Sequence, residues 1–190
     1  MPVLETPIVE LGKAAPDFEL LATDGKHYRL ADVQGARGTL VMFICNHCPY
    51  VQRQIERIVA DARALQDEGI GVVAIMPNDT DAYREDDYPH MQQFARQHDF
   101  SFPYLLDDTQ RVAEAYGAVC TPDFFGYNAN GLLQYRGRLD ESWSQTLAAP
   151  KRELLMAMLE IAEKGHTTRM QYASMGCSIK WRLAGVKKQA

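Results

Sequence analysis

Two cysteines stand two residues apart in Cys45-Asn46-His47-Cys48-Pro49, with a histidine between them. When such a segment turns into a helix, this spacing brings both sulfurs within bonding distance. Pro49 lacks an N–H and is tolerated in a first helical turn, which places the pair at a helix N-terminus. Free N–H groups and the helix dipole stabilise a thiolate there. His47 adds a nearby donor and, when protonated, a positive charge. Both effects pull a thiol pKa from about 8.5 towards neutrality. A pair of this kind cycles between dithiol and disulfide through mixed disulfides.

Metal binding competes for the same residues. Structural zinc usually needs a second closely spaced pair of ligands, whereas Cys120 and Cys177 are isolated and no His-x3–5-His element is present. Copper would draw on Cys45, Cys48 and one of His27, His90 or His98. The elements around the pair favour redox chemistry. Thr39 to Ile44 is a short continuous apolar run, as in a strand covered on both faces. After Pro49, Val51, Ile55, Ile58, Val59, Ala62 and Leu65 recur at helical spacing with polar residues opposite, and Gly69 offers the stop. Ile70 to Met76 is a second apolar run. Strand, helix and strand over this length predict parallel strands with a right-handed crossover.

The remaining elements follow from the same signals. Residues 18–21 and 27–30 flank Thr23-Asp24-Gly25 and predict an N-terminal β-hairpin. Residues 77–88 form an acidic stretch. A calcium loop starting at Asp79 would need Gly in place of Arg84 and Glu in place of His90, so a solvated loop is expected. Pro89 opens a helix to about His98. Residues 104–106 form a strand, and Asp107-Asp108-Thr109 offers an N-cap for a helix over 112–116. Residues 123–127 and 132–136 form a hairpin around Asn128-Ala129-Asn130-Gly131. Pro150 starts a last long helix that Gly165 closes.

The chain has 190 residues, 46% apolar and 24% charged, with a formal charge of −5. One globular domain is expected over 1–165, followed by a tail over 166–190. The tail holds Arg169, Lys180, Arg182, Lys187 and Lys188 and no acid, about +5 against about −10 for the rest. It is expected to pack on the domain, because Tyr172, Ile179 and Trp181 need cover. The net acidity argues against nucleic acid or anionic lipid as partner, and no apolar run approaches a membrane span. The first seven residues lack the basic region and apolar run of a secretory signal. With four cysteines, too few for a disulfide framework, a cytoplasmic setting is expected.

The sequence resembles the thioredoxin-fold redoxins, in the branch of alkyl hydroperoxide reductase and thiol-specific antioxidant proteins. The resemblance rests on Gly12-Lys13-Ala14-Ala15-Pro16-Asp17-Phe18, the apolar strand running into Cys45-Asn46-His47-Cys48-Pro49, and Thr121-Pro122 before the late hairpin. It covers about residues 12 to 160. It implies an α/β, thioredoxin-like fold: a central mixed β-sheet flanked by helices, with an N-terminal β-hairpin extension. It further implies a cis Pro122 facing the cysteines, with the backbone of Thr121 pairing with an extended substrate.

Two mechanisms follow from the resemblance. In the thioredoxin-like one, Cys45, the first and more exposed cysteine, attacks a substrate disulfide and Cys48 resolves the mixed disulfide. In the peroxiredoxin-like one, Cys48 ahead of Pro49 reduces a hydroperoxide and becomes a sulfenic acid. The sequence departs from both. The peroxiredoxin pattern has Thr or Ser where Cys45 stands and Pro where Val41 stands, and its arginine is represented only by Arg136 or Arg138. The thioredoxin pattern has Trp where Ile44 stands and an acid where Thr39 stands, which leaves the proton acceptor unnamed. The intact pair favours disulfide exchange. Cys120 is a candidate for an alternative disulfide or a small buried apolar residue. Cys177 is a candidate resolving thiol on a mobile tail, or a packing residue beside Trp181. No cofactor or metal is expected. The expected partners are a disulfide-containing protein or hydroperoxide substrate and a thioredoxin- or glutathione-type reductant.

Overall fold

The computed structural model describes residues 3–7, 10–142 and 150–183. Lys187 and Lys188 of the basic tail lie outside the described residues.

The strand–helix–strand unit sits at the centre of the fold. β4 (Gly38–Phe43) and β5 (Gly71–Met76) pair in parallel, and α2 (Pro49–Asp67) crosses between them. Alternation along β4 divides its side chains between two cores. Leu40 and Met42 pack with Val51, Ile55, Ile58, Ala62 and Leu65 of α2, while Val41 and Phe43 face Tyr116 and Phe125 on the other side.

The rest of the sheet builds outward from this unit. β2 (Glu19–Ala22) and β3 (His27–Arg29) form the N-terminal hairpin, followed by a one-turn helix α1 (Leu30–Val33). β6 (Tyr104–Leu106) pairs in parallel with β5 and antiparallel with β2. β8 (Asp123–Asn128) pairs antiparallel with β4, and β9 (Leu133–Gly137) with β8. The seven-stranded order is β3-β2-β6-β5-β4-β8-β9, a mixed sheet with helices on both faces. α3 (Tyr88–Gln97) and α5 (Glu153–Lys164) join α2 on one side, and α4 (Arg111–Tyr116) joins α1 on the other.

Two helix starts differ from the sequence reading. α4 begins after Gln110, which is left-handed at φ 64°, and not on an Asp or Thr cap. Asp107 nevertheless serves that end from a distance, since its Oδ2 accepts the Ala113 N–H at 2.8 Å. α5 begins at Glu153, three residues after Pro150, with Gly165 as its left-handed C-cap.

The C-terminal segment is not a loose tail. Its strand β10 (Met175–Ser178) lies between β1 (Val3–Glu5) and β7 (Cys120–Thr121), antiparallel to both, in a separate three-stranded sheet. Both ends of β10 are tied down. Upstream, Ser174 exchanges hydrogen bonds with Thr6 and donates its hydroxyl to the Pro122 carbonyl at 2.7 Å. Downstream, the Lys180 N–H reaches Asn78 Oδ1, and Arg182 sits on Asp79, Asp81 and Asp108. Ile179 is buried, Tyr172 is half-exposed under the Arg138 guanidinium, and Trp181 remains 42% exposed.

Close approach explains the glycine in β10. A Cβ on Gly176 would lie 2.1 Å from the Thr121 carbonyl oxygen. Gly176→Ala is therefore expected to push β10 off β7 and cost about 1–3 kcal/mol. Urea unfolding measures the loss, and amide exchange should quicken in β10 before β4 or β5.

Candidate redox site

Register brings the site together. β4 and β8 run antiparallel with Phe43 opposite Asp123. Carried two residues further, the same register sets Cys45 against Thr121, and the Cys45 sulfur lies 3.2 Å from Thr121 Oγ1. The Thr121–Pro122 peptide bond is cis. Cys48 is the N-cap of α2 with Pro49 in the first turn. When protonated, its thiol donates to the Thr121 carbonyl at 3.1 Å.

Both sulfurs are buried, Cys45 at 1% and Cys48 at 0% exposure. Exposure therefore does not single out Cys45 as expected, because the segment over 77–86 and strand β10 cover this end of the sheet and bury both sulfurs. The acid–base order also differs from a Cys45 nucleophile. Cys48 is lowered below an ordinary thiol, chiefly because the Cys45 thiol donates to it, and the N–H groups of Val51 and Cys177 add to the effect. Cys45 is raised well above the usual value by burial first, then by its hydrogen bond to Cys48 and the nearby charge of Asp86. The two shifts run in opposite directions, so Cys48 is the thiol that ionises more readily.

Asp86 organises the polar half of the site. It is fully buried and accepts the Asn46 N–H at 2.8 Å, the His47 N–H at 3.3 Å and Asn78 Nδ2 at 2.7 Å. Its Oδ2 lies 2.6 Å from His47 Nδ1. That bond raises the His47 pKa, against partial burial. The His47 ring stacks on Tyr83 with centroids 5.7 Å apart. Asn46 is held by the Tyr104 hydroxyl, the Glu85 carbonyl and Gln52. The acidic stretch over 77–88 is therefore only partly the solvated loop expected: Asp81, Ala82, Arg84 and Glu85 are exposed, whereas Asn78, Asp79, Thr80 and Asp86 are buried. One signal pointed there. Loops leaving the carboxyl ends of adjacent parallel strands lie side by side, and this stretch follows β5 as the cysteine pair follows β4.

The remaining candidates divide. Cys120 is buried in β7 with its thiol turned to the Pro122 carbonyl at 3.6 Å, and burial pushes its pKa up. Cys177 joins the site. It lies in β10 opposite Thr121, whose carbonyl meets the Cys48 sulfur, and its thiol and N–H both act to lower the Cys48 pKa. It is neither on a mobile tail nor a mere companion of Trp181. The edge of Thr121 implied for an extended substrate is taken by β10 itself. Arg136 and Arg138 are engaged elsewhere. Arg136 is buried against Asp123, the Gly117 carbonyl and the face of Phe125. Arg138 forms a two-point pair with Glu153 and lies over Tyr172. Among the described residues, the one group of three potential metal ligands within 4.8 Å is Cys45, His47 and Asp86. None of His27, His90 and His98 belongs to it, so the copper ligand set drawn from them is not assembled. The short His47–Asp86 bond gives this group the make-up of an acid–base relay.

Residues 11–140 match the AhpC/TSA family. The chain belongs to this family. It is 26% identical over 130 residues to the thiol-disulfide oxidoreductase ResA of Geobacillus thermodenitrificans, covering 68% of this chain and 70% of that protein. Similarity of the whole architecture is greater elsewhere. An uncharacterized conserved protein from Geobacillus kaustophilus superposes with a TM-score of 0.92 at 40% identity, covering 97% of this chain and 99% of the other. A hypothetical protein from Sinorhizobium meliloti superposes at 0.88 with 34% identity, covering 94% and 98%. Strand β10 lies beyond the family-matched residues. Among the described residues, no helix is long and apolar enough to cross a membrane.

Replacing Asp86 with Asn removes the carboxylate on which His47 and two backbone N–H groups converge. The His47 pKa should fall, which NMR titration of the ring reads directly. The protein should lose about 1–3 kcal/mol, the usual cost of stranding buried hydrogen-bond partners. The share carried by His47 has a definite sign. Its folded pKa is raised above 6.5, so that stabilisation is complete below pH 6.5 and disappears as pH climbs through the raised value. The stability gap between wild type and variant should narrow across that window in urea titrations.

Proposed function

We propose that Cys45 and Cys48 are the redox pair of this thiol–disulfide oxidoreductase, with Cys48 the sulfur that ionises and Cys45 the one that holds the proton. The observation that carries this reading is that both sulfurs meet Thr121 at the start of α2, Cys45 3.2 Å from its hydroxyl and Cys48 3.1 Å from its carbonyl oxygen. A carboxylate–imidazole pair stands beside Cys45.

Electron flow then follows. The Cys48 thiolate attacks one sulfur of a substrate disulfide, and the other substrate sulfur leaves with the bond's electron pair. Protonated His47, held by Asp86, is placed to give a proton to that leaving sulfur. Cys45 next attacks Cys48, the mixed disulfide breaks, and the Cys45 proton goes to the second substrate sulfur. The substrate gains two electrons and two protons as two thiols, and the enzyme is left with the Cys45–Cys48 disulfide. A thioredoxin- or glutathione-type dithiol or thiol reverses these steps to regenerate the enzyme. Because β10 occupies the Thr121 edge, small or loosely held disulfides suit the site better than a long extended polypeptide. Four cysteines, two of them in a pair that must be re-reduced, suit a cytoplasmic setting.

Hydroperoxide reduction is a second reading, favoured by an ionised Cys48 ahead of Pro49. The engagement of Arg136 and Arg138 elsewhere counts against it, since among the described residues no guanidinium pairs with the sulfur. NADPH consumption on adding peroxide to a thioredoxin-coupled assay, lost in Cys48→Ser, would select it.

Reduction of insulin disulfides with dithiothreitol as donor should fall to background in both Cys45→Ser and Cys48→Ser. Full activity in either variant overturns the pair. The ultraviolet absorbance of the thiolate tests the proton order. In Cys45→Ala the Cys48 transition should move upward by about one to two pH units, since a hydrogen bond to a charged group is worth about 1.5–3 kcal/mol. In Cys48→Ala no thiolate should form near neutral pH.

A further inference from the structure

Cys177 is buried in β10, outside the family-matched residues, and the redox cycle above does not use it. Its place is set by three independent features. It pairs across from Thr121, the residue whose carbonyl faces the Cys48 sulfur. Gly176 beside it lets the strand approach that carbonyl closer than any side chain would permit. Ser174 and Lys180 pin the strand on both sides, to Pro122 and to Asn78. The outcome is a row of three cysteines about Thr121: Cys45 beside its hydroxyl, Cys48 beside its carbonyl, and Cys177 across from it in β10.

We propose that Cys177 is a third redox-active thiol and that β10 is an in-chain substrate strand, so that the oxidised protein exchanges its disulfide between Cys45–Cys48 and Cys48–Cys177. The inference rests on the Cys45–Cys48 reading only for the source of the disulfide.

The step balances without an external oxidant. Cys177 attacks the Cys48 sulfur of the Cys45–Cys48 disulfide. The Cys48–Cys177 bond forms, the Cys45–Cys48 bond breaks, and its electron pair stays on Cys45. The proton released by Cys177 ends on Cys45. Both end sulfurs hold their protons tightly, Cys45 through burial and Cys177, pushed up to about 12, through burial and its bond to Cys48. Each end thiol is therefore a stable resting place for the proton while the other is in the disulfide. The exchange frees Cys45 as a thiol beside His47 and Asp86 while Cys48 stays oxidised. The oxidising equivalent thereby moves from the acid–base side of the site to the C-terminal strand.

Disulfide mapping tests this. Wild type, Cys45→Ser, Cys177→Ser and, as control, Cys120→Ser are oxidised with one equivalent of diamide. They are then quenched in acid, alkylated and digested for mass spectrometry, with circular dichroism to confirm folding. Wild type and Cys120→Ser should show both linkages. Cys177→Ser should lose the Cys48–Cys177 linkage completely and keep Cys45–Cys48. Cys45→Ser should convert to Cys48–Cys177 within one chain. Cys177 alkylated in full in oxidised wild type, or intermolecular dimers through Cys48 in Cys45→Ser, overturns the proposal. A wild type showing Cys45–Cys48 alone leaves the redox pair standing and removes Cys177. A wild type showing Cys48–Cys177 alone supports the third thiol and removes the pair.

Discussion

Two buried sulfurs meeting one threonine at the start of a helix set the terms for everything around this site. A thiolate away from water is costly unless donors face it. Here the Cys45 thiol, the Val51 N–H at the opening of α2, and the Cys177 thiol and N–H all act to lower the Cys48 pKa. Remove the helix start and the charge loses its backbone donor. Remove β10 and it loses a thiol and an N–H at once. The helix, the Thr121–Pro122 segment and the C-terminal strand are thus one electrostatic unit, although they lie far apart along the chain.

Hydrogen bonding joins the two halves of that unit. Asn78 donates its side-chain amide to Asp86 and accepts the Lys180 N–H with its oxygen. Asp86 in turn holds the backbone of Asn46 and His47. A single buried asparagine therefore links the seat of the C-terminal strand to the geometry of the cysteine loop. Gln110 repeats the device, donating to the Pro77 and Lys180 carbonyls and accepting the Arg182 N–H. Buried networks of this kind favour one arrangement because a half-satisfied version costs more than none.

What the sequence made legible, and what it hid, has a physical division. β4, α2, β5 and both hairpins carry their own periodicity, because each buries side chains in one or both of the two cores. The short strands β1, β7 and β10 carry none. Val3–Glu5 is exposed throughout and Met175–Ser178 includes Gly and Ser, so what makes them strands is each other's backbone and not their side chains. The acidic stretch after β5 misled for a related reason. Asp86 is charged and yet fully buried, an arrangement invisible until the two N–H groups, the amide and the imidazole that satisfy it come from distant residues. Cys45, His47 and Cys48 were legible as a site from spacing alone. Which sulfur ionises was not, since that depends on the donors each one meets.

The charges around the sulfurs account for the order found. Asp86 stands on the Cys45 side, where its negative charge opposes a second anion. Lys180 stands on the Cys177 side, where it eases ionisation, and lies 6.0 Å from the ring of Tyr83. The field across the row therefore runs from carboxylate to ammonium, and the helix N-terminus points at the middle. A negative charge placed anywhere on the three sulfurs is drawn away from Cys45. Arg136 cannot redirect it, because that guanidinium is spent on Asp123, whose own carboxyl burial pushes up to about 6. Cys48 is the thiol whose pKa is lowered, because its neighbours leave the other two sulfurs no comparable share of donors, and the chemistry of the site starts from that inequality.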